Sequence, residues 1–438
     1  MFKEVDALEL LQTWDVCDLP PSKVAIGCQW VFKTKYNVDG MLERHKARLV
    51  ALGNNQVEGE DYRENFVLVV CITTVHTLLC LVAANQWEVY QMDVHNAFLH
   101  GDLEEEVYMK LPPDFRHSHP EKICCLRKSL YGLKHFPCCW FKKLSDSLLK
   151  FGFVQSYDDY SFFSYTHKNI ELRVLIYVDD LIICGYDGYM LTKFKEYLGR
   201  CFAMKDLGKL KYFLGIEVSR GPDSIFLTQR KYALDIIDGT GNLGSRPAYT
   251  PQEQNHHLAS DDGHLLLDPK PYRRLDGRLC YLLHTRPELC YSVHVLSQFM
   301  KYPREVHLEA ALRVVRFLKG SPSQGIMLKA DTDLSLDVYC NLDWSSCPNT
   351  RRSLSAYVVL LGGSPISWKA KDTVSHSFAE AEYRAMSFAL KEINWLHKLL
   401  KGFGINRAAP TRLFCDSKAT IHIASNLVFH ERTKHHNE

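Results

Sequence analysis

Apolar and polar positions alternate along the first part of the chain and group at helical spacing further on. Two strand-like runs, residues 27–35 and 44–50, flank Asn37-Val38-Asp39-Gly40, and an Asp-Gly pair between such runs predicts a β-hairpin. Lys33, Lys35, Arg44, Lys46 and Arg48 stud this hairpin. A solvated strand face would carry such charges, and so would a finger that handles phosphate. Residues 87–92 predict a strand that ends at Asp93, and two β-prone runs flank Asp179-Asp180, where a tight turn fits. Helical spacing appears at Phe141, Leu144, Leu148 and Phe151 before Gly152, and at Phe194, Tyr197 and Leu198. It returns at Leu308, Leu312, Val315 and Leu318 before Gly320, and over residues 380–400 through Met386, Leu390, Ile393 and Leu396. These stripes read as core, without chemistry. Gly, Pro, Asn, Asp and Ser concentrate over residues 239–271, which predicts a linker. Strand-like alternation resumes at Leu334, so a C-terminal domain is expected from about residue 331.

Composition narrows the picture modestly. Hydrophobic residues make up 46% and charged residues 24% of the 438, which excludes disorder as the main state. A net charge of +2 means that any nucleic-acid binding must come from local basic grooves. The first residues offer no signal-peptide pattern, and the most apolar window, 172–184, carries two aspartates and is too short to span a bilayer. Fifteen cysteines, an odd number without a CxxC pair, predict reduced thiols in an intracellular protein that is neither secreted nor membrane-bound.

The carboxylates carry the chemistry. Asp179 and Asp180 at a hairpin tip repel each other unless a counter-charge is present, and a divalent cation supplies one. Plain turn chemistry explains such a pair equally well in isolation. A third aspartate, Asp93, lies at the end of another apolar strand, within Gln91-Met92-Asp93-Val94-His95-Asn96-Ala97-Phe98. Three aspartates on neighbouring strand ends are what two-metal phosphoryl transfer needs, and hard cations such as Mg²⁺ prefer carboxylate and phosphate oxygens.

With these motifs the chain resembles the reverse transcriptase–ribonuclease H portion of copia-type retrotransposon polyproteins from residue 8 to about 436. The resemblance rests on CQWVFK (28–33), KARLVA (46–51), QMDVHNAFLHG, SLYGLK, YVDD, KDLGKLKYFLGIEV (205–218), YRRL (272–275), SWK, AEAEYRAM and FHERTKH. It implies an α+β right-hand polymerase of fingers and palm, with an antiparallel palm sheet, followed by an α/β ribonuclease H-like domain. The implied segments are 1–245 for fingers and palm, 246–330 for a linker and helical connection, and 331–438 for a C-terminally truncated ribonuclease H-like domain. By resemblance Asp93, Asp179 and Asp180 form the catalytic, Mg²⁺-binding triad, with Mn²⁺ as a substitute. Lys46, Arg48 and His135 fall at nucleotide-binding positions, and Phe98 at the aromatic that rejects a 2′-hydroxyl. Tyr212 to Val218 match the segment that grips the primer. The implied partners are an RNA or DNA template with primer, and deoxynucleoside triphosphates.

Several positions depart from that pattern. His135 replaces a glutamine and Cys138 an arginine, which alters reach and removes a fork of donors. Leu52 replaces a basic residue, and Asp276 stands at a position usually small and apolar, where an unpaired buried carboxylate would be costly. Of the four acidic positions of ribonuclease H, Asn341 falls at the first and Glu382 and Asp416 at the second and third. The fourth should follow Thr433-Lys434-His435, where the chain reads His436-Asn437-Glu438. Asp343 shares the face of Asn341 but lies about 6.5 Å further along the strand. Single transitions would explain Cys138, Asn341, His376, Phe378 and Leu427 as a decaying element's changes. The expectation is therefore an RNA-directed DNA polymerase with inactive ribonuclease H; the alternative is a non-enzymatic remnant that at most binds nucleic acid.

Overall fold

The structure, a computed structural model, describes residues 2–21, 23–36, 41–57, 59, 70–94, 101–113, 121–134, 136–253, 258–347, 350–375, 377–405 and 410–425. Contacts divide the chain into two compact units, Met1–Val70 with Val89–Lys209, and Cys71–Glu88 with Leu210–Glu438. Among the described residues no helix is long and apolar enough to cross a membrane. All fifteen cysteines are free, and only Cys71, Cys201 and Cys280 are exposed.

The first unit begins with α1 (Phe2–Leu10), β1 (Trp14–Cys17) and the hairpin of β2 (Cys28–Tyr36) and β3 (Leu42–Ala51). That hairpin pairs antiparallel from Cys28↔Ala51 to Tyr36↔Leu42, as the sequence predicts, with its tip at 37–40 outside the described residues. β1, β5 (Asp102–Lys110) and β6 (Ile123–Lys128) form a three-stranded sheet in the order β1-β6-β5. The largest sheet holds β4 (Glu88–Val94), β7 (Val154–Gln155), β8 (Phe162–His167), β9 (Ile170–Tyr177), β10 (Asp180–Gly185) and β11 (Met204–Lys209). Its order is β11-β4-β10-β9-β8-β7, and the pairs β11–β4, β10–β9, β9–β8 and β8–β7 are antiparallel.

Helices α3 (Phe136–Phe151) and α4 (Gly188–Cys201) cover one face of this sheet. Every second residue of the strands, Leu172, Val174 and Ile176 with Leu181 and Ile183, meets the helical stripe of Trp140, Leu144, Leu148, Leu191, Phe194 and Leu198. Burial of each such side chain contributes about 1.5–3 kcal/mol. The period of two and the period of 3.6 are thus satisfied by one shared core. The last residue of β10, Gly185, has to be glycine, because a Cβ there would stand 2.6 Å from the Glu171 carbonyl oxygen.

In the second unit, α2 (Ile72–Ala84) packs on β14 (Ser224–Thr228), β15 (Gly325–Lys329) and β18 (Ser364–Thr373). Residues 73–83 of α2 are all buried, so this helix has no polar face. β12 (Tyr212–Phe213) and β13 (Ile216–Arg220) join β14 and β15 in a four-stranded antiparallel sheet. Four helices, α5 (Arg230–Gly239), α6 (Lys270–Leu282), α7 (Cys290–Ser297) and α8 (Glu305–Gly320), bury a second core around Tyr272, Leu279, Val293 and Val315.

The stretch predicted as a linker is irregular but strapped to α8 and its N-terminal approach. Lys319 Nζ donates to the Ser245 carbonyl at 2.6 Å, the Ala248 N–H to Arg316 O at 3.1 Å, and Arg304 Nε to Ser260 O at 2.7 Å. Asp276 is buried as feared but is not unpaired, since the Ser297 hydroxyl donates to it at 3.0 Å.

The C-terminal sheet runs β18-β17-β16-β19, with β16 (Leu336–Asp343), β17 (Ser353–Leu361) and β19 (Arg412–Phe414). β16 pairs antiparallel with β17 and parallel with β19, and α9 (Phe378–Gly402) packs on β16 and β17. Helix α10 (Lys418–Ser425) follows β19.

Candidate active site

Asp179 and Asp180 sit where β9 turns into β10. Tyr177 pairs with Asp180, leaving Val178 and Asp179 as the two loop residues. Val178 has φ +56°, a left-handed conformation that a β-branched side chain rarely adopts. Such strain costs on the order of 1–3 kcal/mol and persists only where neighbours enforce it. Two neighbours do. The Trp140 indole Nε1 of α3 donates to the Val178 carbonyl at 2.7 Å, and the Val94 N–H of β4 donates to the Asp179 carbonyl at 2.9 Å. Both carbonyls of the turn are therefore held from outside it.

Asp93 lies on β4, one residue before Val94, and is half-buried. Gln91, on the same face two residues earlier, donates from Nε2 to Asp180 Oδ1 at 3.0 Å. Burial pushes the Asp180 carboxyl upward, the negative charges of Asp179 and Asp93 add to that, and the Gln91 amide opposes it. The structure thus brings the three predicted aspartates into one electrostatic neighbourhood. They do not close into a single-ion cage, because among the described residues only Glu382, Cys415 and Asp416 place candidate ligand atoms all within 4.8 Å of one another.

Arg48 reaches the same neighbourhood from β3. Its guanidinium lies 4.6 Å from the centre of the Tyr131 ring, and its Nε is buried with no hydrogen-bond partner among the described residues. Burial raises the Tyr131 phenol most, Arg48 opposes this, and Glu4, Asp179 and Asp93 raise it further. Tyr131 is therefore within electrostatic reach of both the arginine and the aspartates. Its own carbonyl accepts from the Ala51 N–H at 2.7 Å, which docks the 129–134 loop on the end of β3. Gly132, at φ +93°, permits that approach, since a Cβ there would fall 2.1 Å from Ala51 O. Lys134 adds its backbone N–H to Gln56 Oε1 at 2.8 Å.

Lys46 lies on β3 opposite Lys33, with its side chain outside the described set. Phe98 and His135 lie outside the described residues, and Cys138 is half-buried on α3. The 212–218 segment forms the β12–β13 hairpin, whose Leu214 carbonyl accepts from the Tyr281 hydroxyl at 2.6 Å. Gln91, Tyr131 and Trp140 were not singled out in the sequence. Each stands inside or beside a quoted motif, but only the pairing of strands shows what it touches.

A second centre lies on the C-terminal sheet. Asn341 is exposed on β16, and its Oδ1 accepts from the Leu342 N–H at 2.7 Å. Glu382 on α9 is 2% exposed; burial and then the Asp416 charge raise its carboxyl, while the Cys415 thiol, donating at 3.7 Å, opposes them. Asn341, Cys415 and Asp416 line one cavity of about 470 Å³ with Tyr339, Cys340 and Phe414. Asp343 is exposed at the end of β16, and Glu438 lies outside the described residues. A neutral amide, already engaged by the backbone, and a thiol beside the carboxylates do not fit a pair of hard cations.

A model of the reverse transcriptase (RNA-dependent DNA polymerase) family matches residues 11–254. The chain belongs to that family. The chain is also homologous to copia-type Pol polyproteins over nearly its whole length. It is 42% identical over 439 residues to the retrovirus-related Pol polyprotein from transposon RE1 of Arabidopsis thaliana, covering 99% of this chain and 30% of that one. It is 34% identical over 448 residues to the corresponding polyprotein from transposon TNT 1-94 of Nicotiana tabacum, covering 99% of this chain and 34% of that one. The chain therefore spans about a third of the length of these relatives. A shorter relative, the putative transposon Ty5-1 protein YCL074W of Saccharomyces cerevisiae, is 30% identical over 308 residues, all of that protein and 69% of this one. Among solved structures, a foamy viral protease-reverse transcriptase in complex with double-stranded DNA aligns at a TM-score of 0.45 and 12% identity, over 97% of this chain and 63% of that one. The family membership expected from the motifs is borne out.

Proposed function

We propose that this chain is an RNA-directed DNA polymerase that extends a primer on an RNA or DNA template with deoxynucleoside triphosphates. The observation that carries the reading is the convergence of Asp93, Asp179 and Asp180, with the Asp179 turn held from both sides by Trp140 and Val94. Asp93, Asp179 and Asp180 would hold two Mg²⁺ ions, or Mn²⁺, which when bound activate the primer 3′-hydroxyl and stabilise the leaving oxygen of the triphosphate. Gln91 fixes the Asp180 carboxylate in orientation. Arg48, stacked on Tyr131, supplies fixed positive charge toward the triphosphate together with Lys46, and a planar guanidinium can bind phosphate bidentately. Phe98 and His135 complete the nucleotide pocket in this reading. The β12–β13 hairpin serves as the primer grip. The functional parsing is 1–245 fingers and palm, 246–330 connection and 331–438 ribonuclease H-like domain, and the free thiols suit a reducing, intracellular compartment.

The test is primer extension on an RNA template with Mg²⁺ or Mn²⁺, beside an Asp179→Asn control. Extension well above that control is expected, and extension no greater than it sinks the polymerase reading. The second reading, a remnant that binds nucleic acid without turnover, is favoured by Asn341 at the first ribonuclease H position and by Cys138 in α3. In either case the C-terminal domain is proposed to be inactive as a ribonuclease H. Mg²⁺-dependent cutting of an RNA–DNA hybrid would show that Asn341 is tolerated.

A further inference from the structure

The C-terminal centre that does not fit paired hard cations has a donor set of another kind. Parallel pairing of β16 with β19 runs Asp337↔Arg412, Val338↔Leu413 and Tyr339↔Phe414, so the next positions, Cys340 and Cys415, come side by side. Their thiols contact each other, and the Cys340 sulfur also bonds the Phe414 carbonyl at 3.5 Å. Cys415 stands 3.7 Å from Glu382 Oε2, and the candidate ligand atoms of Glu382, Cys415 and Asp416 all lie within 4.8 Å of one another.

Glu382 supplies an independent sign. It is 2% exposed, and its one hydrogen-bond partner among the described residues is the weak Cys415 donor. A buried carboxylate with so little compensation is costly, and a bound cation would remove that cost. Asp416 is exposed and lines the 470 Å³ cavity with Cys340 and Cys415, so an ion has a way in from solvent.

We infer that Cys415, Glu382 and Asp416, with the adjacent Cys340 thiol, bind one thiophilic divalent cation such as Zn²⁺. The inference rests on the reading that this centre does not hold paired Mg²⁺. Ligands of a tetrahedral zinc ion, with Zn–S of about 2.3 Å and Zn–O of about 2.0–2.2 Å, stand roughly 3.5 Å apart, so the present cluster needs to contract by about an ångström. Thiolate donors select Zn²⁺, Co²⁺ and Cd²⁺ over Mg²⁺. Binding releases the Cys415 proton, and the Cys340 proton where that sulfur coordinates, to solvent, and no redox change is involved.

The experiment titrates the full chain with Co²⁺, then displaces it with Zn²⁺, in the presence of at least 100-fold excess Mg²⁺. A thiolate-to-Co²⁺ charge-transfer band at one equivalent is expected, together with its loss on Zn²⁺ addition. Cys415→Ala should abolish the band, Glu382→Gln should weaken Zn²⁺ affinity at least tenfold, and Cys280→Ala should change neither. Glu382→Gln removes a buried charge, so it serves as the folded variant if Cys415→Ala does not fold. No band in the folded wild-type chain, a band that survives in folded Cys415→Ala, unchanged affinity in Glu382→Gln, or displacement by Mg²⁺ overturns the inference. Cutting of a hybrid with Mg²⁺ would overturn the underlying reading separately, whatever the Co²⁺ result.

Discussion

Replacing Asp276 by valine should stabilise the second unit. The carboxylate is 1% exposed on α6, inside the core formed by α5–α8. Its compensation is the Ser297 hydroxyl, at 3.0 Å and 3.3 Å to its two oxygens, and the distant Cys280 thiol at 3.9 Å. Hydrogen bonds to a charge return about 1.5–3 kcal/mol, whereas taking an ion out of water costs several. Valine is somewhat larger than aspartate, so no cavity opens, and Ser297 keeps its bond to the Val293 carbonyl at 2.9 Å. The net gain should be about 1–3 kcal/mol, or roughly 2–10 °C in Tm for a unit of this size. The gain must also depend on pH. Burial raises the folded carboxyl above its ordinary value, so the folded state holds its proton longer than the unfolded state does. Wild-type stability therefore falls as pH rises from the ordinary carboxylate value to the raised one, and levels off beyond it. Thermal unfolding of both proteins across this range should give curves that meet at acid pH and separate toward neutrality. A lower Tm in the variant, or a difference that stays constant with pH, would refute the reasoning.

Three further outcomes are expected. Trp140→Phe keeps the ring in the core but removes the donor to the Val178 carbonyl, and single-turnover primer extension should drop about tenfold or more with the unfolding curve little changed. Arg48→Lys keeps the charge but loses the planar stack on Tyr131, so the KM for deoxynucleotides should rise while kcat moves less, as steady-state kinetics would show. Burial lowers His76 to about 4, so the folded state resists a proton that the unfolded state takes up below about pH 6.5. Stability should fall by on the order of 3 kcal/mol from pH 6.5 to 4, and His76→Phe should flatten that slope in a series of melts.

Much of the fold was legible in the chain because its period-two strands and 3.6-period helices each bury one face. The β9–β10 hairpin and the stripes of α3, α4, α8 and α9 follow from that alone. Helix α2 was not legible: Ile72, Thr73, Thr74, Val75 and Thr77 favour strands, and burial all round leaves no polar face to give it a period. Asp93, Asp179 and Asp180 could be named from motif spacing, but spacing could not show that Gln91 bonds Asp180 or that Trp140 grips the turn. Those contacts join residues 38 and 89 positions apart, and only the sheet order creates them. The Cys340–Cys415 juxtaposition depends on the register of a parallel strand pair, which local sequence does not encode.

The excursion of residues 71–88 has a topological consequence. The second unit takes its α2 from an early stretch of chain and the rest from residue 210 onward, so neither unit is continuous in sequence. A single cut near residue 209 cannot separate them into self-sufficient halves. A fragment starting at residue 210 would bare the surfaces of β14, β15 and β18 that α2 covers, a greasy patch that invites aggregation. During synthesis α2 must wait for more than a hundred residues before its partner strands exist. Until then a helix without a polar face has nowhere to hide, and the ribosome-bound chain is at its most vulnerable between residue 84 and the completion of β18.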